Sequence, residues 1–135
     1  MKKVFTIILL FLICTSCATM EKEDRIVRRQ DFFNRFSRNE LYAMQGWTMG
    51  SDFLKLRKNK TFIYQSRIFG LANSGYYCGE YQLQNDTIKL TFINNHKPQK
   101  LKSEMLVFKK REGEDILDNC NGYFFYIVKN KLAVN

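Results

Sequence analysis

The chain has 135 residues, a formal net charge of +9 and an aromatic content of 15%. That length suits one domain, and no second composition block or internal repeat marks another. The Lys and Arg residues are spread along the chain, which favours anionic neighbours such as phospholipid headgroups, lipopolysaccharide or acidic glycans, or forms a solvated basic surface.

The first elements are an address. Lys2 and Lys3 form a basic start, and Val4 to Cys14 is apolar except for Thr6, with Thr15, Ser16 and Cys17 following at once. This is the pattern of an export signal. The apolar run of about 11 residues is shorter than the ~20 that a membrane-spanning helix needs. The small residues before Cys17 resemble the lipobox of bacterial lipoproteins. The resemblance implies cleavage after residue 16 and lipidation of Cys17. The chain is then a cell-envelope protein held on a membrane by acyl chains, with the outer membrane as the expected site and a periplasmic or surface-facing domain. Lys2 and Lys3 are the only charges in residues 1–16, so the remaining 119 residues carry +7. This location argues against nucleic acid as a partner.

Residues 17–24 read as the lipidated cysteine and a polar tether. Residues 25–46 read as an amphipathic helix. Neither Gly nor Pro interrupts Arg25 to Gln45, and Phe32, Phe33 and Phe36 recur at helical spacing beside Arg28, Arg29, Arg35 and Arg38. Gly46 is a stop signal. The Phe face either packs on the domain that follows, the expected outcome, or lies on the membrane surface next to the anchor.

From residue 47 to 135 the period is that of strands. Leu54 and Leu56 alternate with Lys55 and Arg57, and Lys58-Asn59-Lys60 is a turn. Thr61 to Ile68 returns with Phe62 and Tyr64 on one face. After a Gly-containing loop, Tyr77, Gly79, Tyr81 and Leu83 alternate with polar residues. Asn85-Asp86 turns the chain into Ile88, Leu90 and Phe92. Leu101 to Lys110 is a further strand, Glu112 to Asp115 an acidic turn, and the run Tyr123 to Val128 is apolar on both faces. The expected fold is mainly β: one N-terminal helix, then six to seven antiparallel strands in a meander, closed or partly closed as a barrel.

Cys78 and Cys120 remain beyond Cys17. In an oxidising envelope an even pair reads as a disulfide. Its loop of about 40 residues would contribute on the order of 4 kcal/mol in the chain-entropy view.

The segments FLKLRKNKTFIY and GEYQLQNDTIKLTF, with Leu54, Leu56, Asn59, Thr61, Phe62, Gly79, Tyr81, Asp86, Thr87, Ile88 and Leu90, resemble the small lipocalin-like lipoproteins of Gram-negative envelopes. The resemblance covers roughly residues 47–93. It implies a β-barrel that binds a small apolar or lipid ligand, here lined by Phe62, Tyr64, Tyr81, Leu83, Leu90 and Phe92. The alternative is a filled barrel that contacts another envelope protein or a cell-wall component.

Signals for chemistry are sparse. His96 is the sole histidine and lies in a polar loop, where exposure is expected. One histidine supports neither a common zinc site nor a Ser-His-Asp triad. Glu112, Glu114, Asp115 and Asp118 lack calcium-loop spacing. The expectation is therefore a non-enzymatic protein, with no catalytic residue, cofactor or metal ligand assigned. Its partners are the membrane and either an apolar ligand or an envelope protein.

Overall fold

The computed structural model describes residues 22–46, 50–68 and 72–132. The signal segment, Cys17, Trp47 and Phe69 lie outside the described residues. The chain begins with helix α1 (Lys22–Gln30) and a 3-10 turn (Asn34–Phe36). Eight strands follow: β1 (Asn39–Gln45), β2 (Gly50–Arg57), β3 (Thr61–Ile68), β4 (Ala72–Gln84), β5 (Thr87–Phe92), β6 (Met105–Arg111), β7 (Glu114–Asp118) and β8 (Phe124–Asn130). Each pairs antiparallel with the next, and β8 returns to β1, closing the barrel. The mainly-β meander behind one helix is thus as expected, with eight strands rather than six or seven. Closure removes the exposed edges that an open sheet would have to protect.

The two extra strands have separate causes. The segment NELYAMQ was expected to be helix, but Leu41 and Ala43 are fully buried while Tyr42 and Met44 are only half-buried. That period of two suits a strand, and β1 is needed to bridge β2 and β8. Pairing with β2 and with the distant β8 overrides the helical preference of its residues. At the other site, Glu112 and Gly113 have φ of 54° and 86°. Two left-handed residues make a complete hairpin turn, so Glu114 and Asp115 are freed to begin β7.

The expected helix over 25–46 is therefore corrected to Lys22–Gln30. It lies on the outer wall of β4, where the Cys78 thiol faces the Val27 carbonyl at 3.7 Å. Its inward residues are Asp24 and Val27, and Asp31 just beyond its end is also buried. Phe32, Phe33 and Phe36 do not pack on the barrel. They are 44%, 80% and 75% exposed. The second face of β8 is not covered by the helix either: Phe124 and Tyr126 are half-buried and Val128 is exposed.

The interior is built from the alternating residues of all eight strands, among them Leu41, Leu54, Phe62, Tyr81, Leu106 and Phe125. Gly79 shows how tightly it fits. Phe62 is its cross-strand partner, and a Cβ at Gly79 would fall 1.9 Å from the Thr91 carbonyl oxygen and 3.0 Å from the Phe62 ring. The Gly-x-Tyr pattern at 79–81 has this steric reason, and Tyr81 adds a second one, since its hydroxyl donates to the Arg57 carbonyl at 2.9 Å.

Cys78 and Cys120 are both free, which corrects the expected disulfide. Cys78 is sealed beneath α1, whereas Cys120 is exposed in the β7–β8 connection. Burial pushes the Cys78 thiol up to about 12, so it is a poor nucleophile at neutral pH.

A buried ion pair fastens the N-terminal segment to the barrel. Arg57 donates to both Asp31 oxygens, at 2.6 and 2.8 Å, and Tyr76 donates to the second at 2.9 Å. The Arg57 and Asp31 side chains are 4% and 2% exposed. Removing one partner strands a buried charge, so Asp31→Ala should lower stability by about 3–5 kcal/mol. Replacing both with apolar residues (Asp31→Leu, Arg57→Met) should cost clearly less. Denaturant midpoints of the three proteins check this, and equal losses would refute the pairing.

Candidate functional site: the polar mouth of the barrel

The six residues expected to line a ligand cavity are brought together, but against one another. Phe62, Tyr64, Tyr81, Leu90 and Phe92 are buried, and Leu83 is partly buried against the same cluster. Phe62 meets Phe92 edge-on at 5.0 Å, and Tyr64 meets Phe125 edge-on at 5.9 Å. Edge-to-face pairs of this kind contribute about 0.5–1.5 kcal/mol beyond the area they bury.

Of these six, Tyr64 borders an open cleft of about 600 Å³ at one end of the barrel. Its other walls are Glu23 from α1 and Gly50, Ser66, Arg67 and Tyr77 from β2, β3 and β4, together with His96 to Lys100. This last stretch belongs to the long β5–β6 connection, which folds across the barrel end. Pro98 and Leu101 are its buried residues, and Leu101 joins the core. The apolar plug at Leu101 holds Lys97, Gln99 and Lys100 at the rim.

Beneath the cleft lies Asp52, 2% exposed. It shares the inward face of β2 with Leu54 and Leu56, so the chain has placed a carboxylate where an apolar residue would be ordinary. Its partners surround it. Tyr123 donates a short hydrogen bond to Oδ2, and Lys100 Nζ approaches the same oxygen at 3.2 Å. The Tyr64 and Tyr123 hydroxyls are 2.9 Å apart. Burial pushes the Asp52 carboxyl up, but hydrogen bonds from Ser66, Tyr123 and Tyr64 and the Lys100 charge outweigh it, so the net shift is downward. Burial and the adjoining carboxylate raise both tyrosines above their ordinary value. At neutral pH the network is a carboxylate held by protonated hydroxyls and an ammonium group. All of these groups are engaged in neutralising one buried charge.

His96 is the second polar centre, and it is not exposed as expected. Its side chain is 13% exposed, with Nδ1 3.0 Å from Glu23 Oε2 and Nε2 2.9 Å from Asp24 Oδ1. Its ring stacks on Tyr77 at 4.7 Å. The helix is thereby tied to the mouth at its start, as it is tied to Arg57 after its end.

The other flagged residues have local roles. Asn59 Oδ1 accepts from the Thr61 hydroxyl at 2.7 Å, closing the β2–β3 turn, and Thr87 bonds Asp86 at the β4–β5 turn. Asp118 pairs with Lys109 on the surface. Among the described residues, no three of His, Cys, Asp and Glu converge to hold a metal ion. Tyr77 is at the mouth, while Tyr76 faces α1 and bonds Asp31. Asp52, Tyr123 and Lys100 were not anticipated, although alternation with Leu54 already marks Asp52 as inward.

No protein-family profile, curated protein or solved structure matches this chain.

Asp52 gives the mouth a pH signature. Because its folded value lies below the ordinary 3.8, its stabilisation is complete above that pH and is lost as pH falls through the folded value. Asp52→Asn should therefore cost about 1–3 kcal/mol at pH 7, as the hydroxyls and Lys100 lose their charged acceptor. The gap between variant and wild type should narrow below pH 3.8. Thermal melts of both proteins across pH 2–7 check this, and a gap that does not change with pH would show that Asp52 is not ionised in the mouth.

Proposed function

We propose that this chain is a cell-envelope lipoprotein, acylated at Cys17, whose barrel is a non-enzymatic interaction module. Its partner is another envelope protein or a cell-wall component, engaged at the mouth. One observation carries the choice over a ligand carrier: the side chains that would line an interior ligand site are already in van der Waals and hydrogen-bond contact with one another. An eight-stranded barrel has an interior just wide enough for side chains or for one small ligand, and here side chains occupy it. Among the concavities of the described residues, the cleft at the mouth brings Arg67, Lys97 and Lys100 to one rim, with Lys100 paired to Asp52 and Lys97 3.8 Å from Glu104. These rim cations and the Tyr77–His96 stack are the groups a partner would meet there.

The non-enzymatic reading rests on the same groups. Asp52 is neutralised by its donors, and the tyrosines beside it are held protonated, so neither is poised to take a proton or attack a substrate.

Native mass spectrometry of residues 21–135, exported to an oxidising compartment and purified without detergent, tests the choice. The interaction module predicts the bare polypeptide mass. A reproducible adduct of lipid mass, lost on solvent extraction, would reinstate the carrier.

A further inference from the structure

The segment 22–38 has two chemically different sides. Its acidic residues turn towards the barrel: Glu23 and Asp24 to His96, and Asp31 to Arg57. Its cations Lys22, Arg25, Arg29, Arg35 and Arg38 are exposed. Between them stand Ile26, 40% exposed, and the triad Phe32, Phe33 and Phe36. The triad is a formed cluster. Phe32 meets Phe33 and Phe36 edge-on at 5.2 and 6.0 Å, and the Arg35 guanidinium lies 3.9 Å from the Phe32 ring centre. Asn34 and Ser37 bond Asn59 in the β2–β3 turn, so the cluster is fixed to the barrel while its rings remain in water. Exposed Lys58 adds another cation at that turn.

Three adjacent exposed phenylalanines ringed by arginine are costly in water and suit the boundary between headgroups and acyl chains. We propose that this face lies on an anionic lipid bilayer. The proposal rests on the lipoprotein reading, because Cys17 is five residues before α1. The geometry fits that start. The nine residues of α1 extend about 14 Å, and five residues of tether reach at most about 17 Å. The anchor and the phenylalanine cluster can therefore meet one membrane plane, with α1 lying along it. The acyl chains at Cys17 supply the anchor, and the aromatic–arginine face adds a contact that sets how the domain lies on the membrane. The barrel then rests on its side, with β8, four strands round from β4, facing away from the lipid.

The test uses the mature lipoprotein in vesicles containing about 30% anionic lipid. A nitroxide is placed at Gln30→Cys or at Lys129→Cys, each in a Cys120→Ser background; both positions are exposed, so folding should tolerate them. The proposal predicts that the Gln30 label is about tenfold less accessible to a water-soluble relaxant than the Lys129 label. That protection should be lost in Phe33→Ser/Phe36→Ser with the melting temperature unchanged. It should weaken in zwitterionic vesicles or about 0.5 M salt. Equal accessibility in protein that still floats with the vesicles would overturn the inference and leave the anchor standing. Spin–spin broadening at the Gln30 label would also overturn it, in favour of a second copy covering the face. Protein that does not float would overturn both the inference and the lipoprotein reading.

Discussion

Everything in this molecule is arranged around an interior that eight strands can enclose and aromatic side chains can fill. Phe62 over Gly79, Tyr64 against Phe125 and Tyr81 bonded to the Arg57 carbonyl occupy that volume. Close packing of this kind leaves little tolerance for change in size. It also leaves the ends and walls of the barrel as the surfaces open to a partner. The open cleft begins where the apolar layers stop, at Tyr64 and Asp52.

Of the buried carboxylates, Asp31 and Asp52 mark the limits of the apolar interior, and each is compensated by specific donors. Asp31 is held on the outer wall by Arg57 and Tyr76, and Asp52 at the mouth by Tyr123, Ser66, Tyr64 and Lys100. Helix α1 connects the two regions. It is tied near its start through Asp24 to His96, and just after its end through Asp31 to Arg57. This is a strap along one wall, and it leaves the apolar side of the turn that follows, Phe32 to Phe36, facing outward. One strap thus sets both the position of the mouth loop and the exposure of the phenylalanine cluster. The mouth and the phenylalanine cluster therefore lie at opposite ends of this strap, with α1 bordering the mouth through Glu23.

The hairpins were legible in the sequence wherever alternation and turn chemistry agreed. Asn59-Lys60 and Asn85-Asp86 sit at turns with Lys60 and Asn85 at positive φ, and Leu54, Phe62, Tyr81 and Leu90 point inward as their spacing implies. Strand β1 was not legible, because Glu, Leu, Ala, Met and Gln favour helix and only pairing with β2 and the distant β8 imposes extension. The phenylalanine triad misled for a related reason: helical spacing implies a common face, but not what that face covers. The mouth was partly legible. Asp52 falls on the Leu54 face by simple counting, whereas its approach to Tyr123 and Lys100 depends on closure of the barrel and on the path of residues 93–104. The same closure separates Cys78 from Cys120, which an even count of cysteines in an exported chain would pair.

The filled interior is tested most directly by nuclear Overhauser contacts in isotope-labelled protein purified from its native source without delipidation. A filled barrel predicts ring-to-ring contacts from Phe62 to Phe92 and from Tyr64 to Phe125, with no contact from either pair to lipid methylene protons. Lipid contacts to Phe62, Tyr81 or Leu90, with the ring pairs separated, would show that the barrel holds a ligand and would contradict recognition at its mouth.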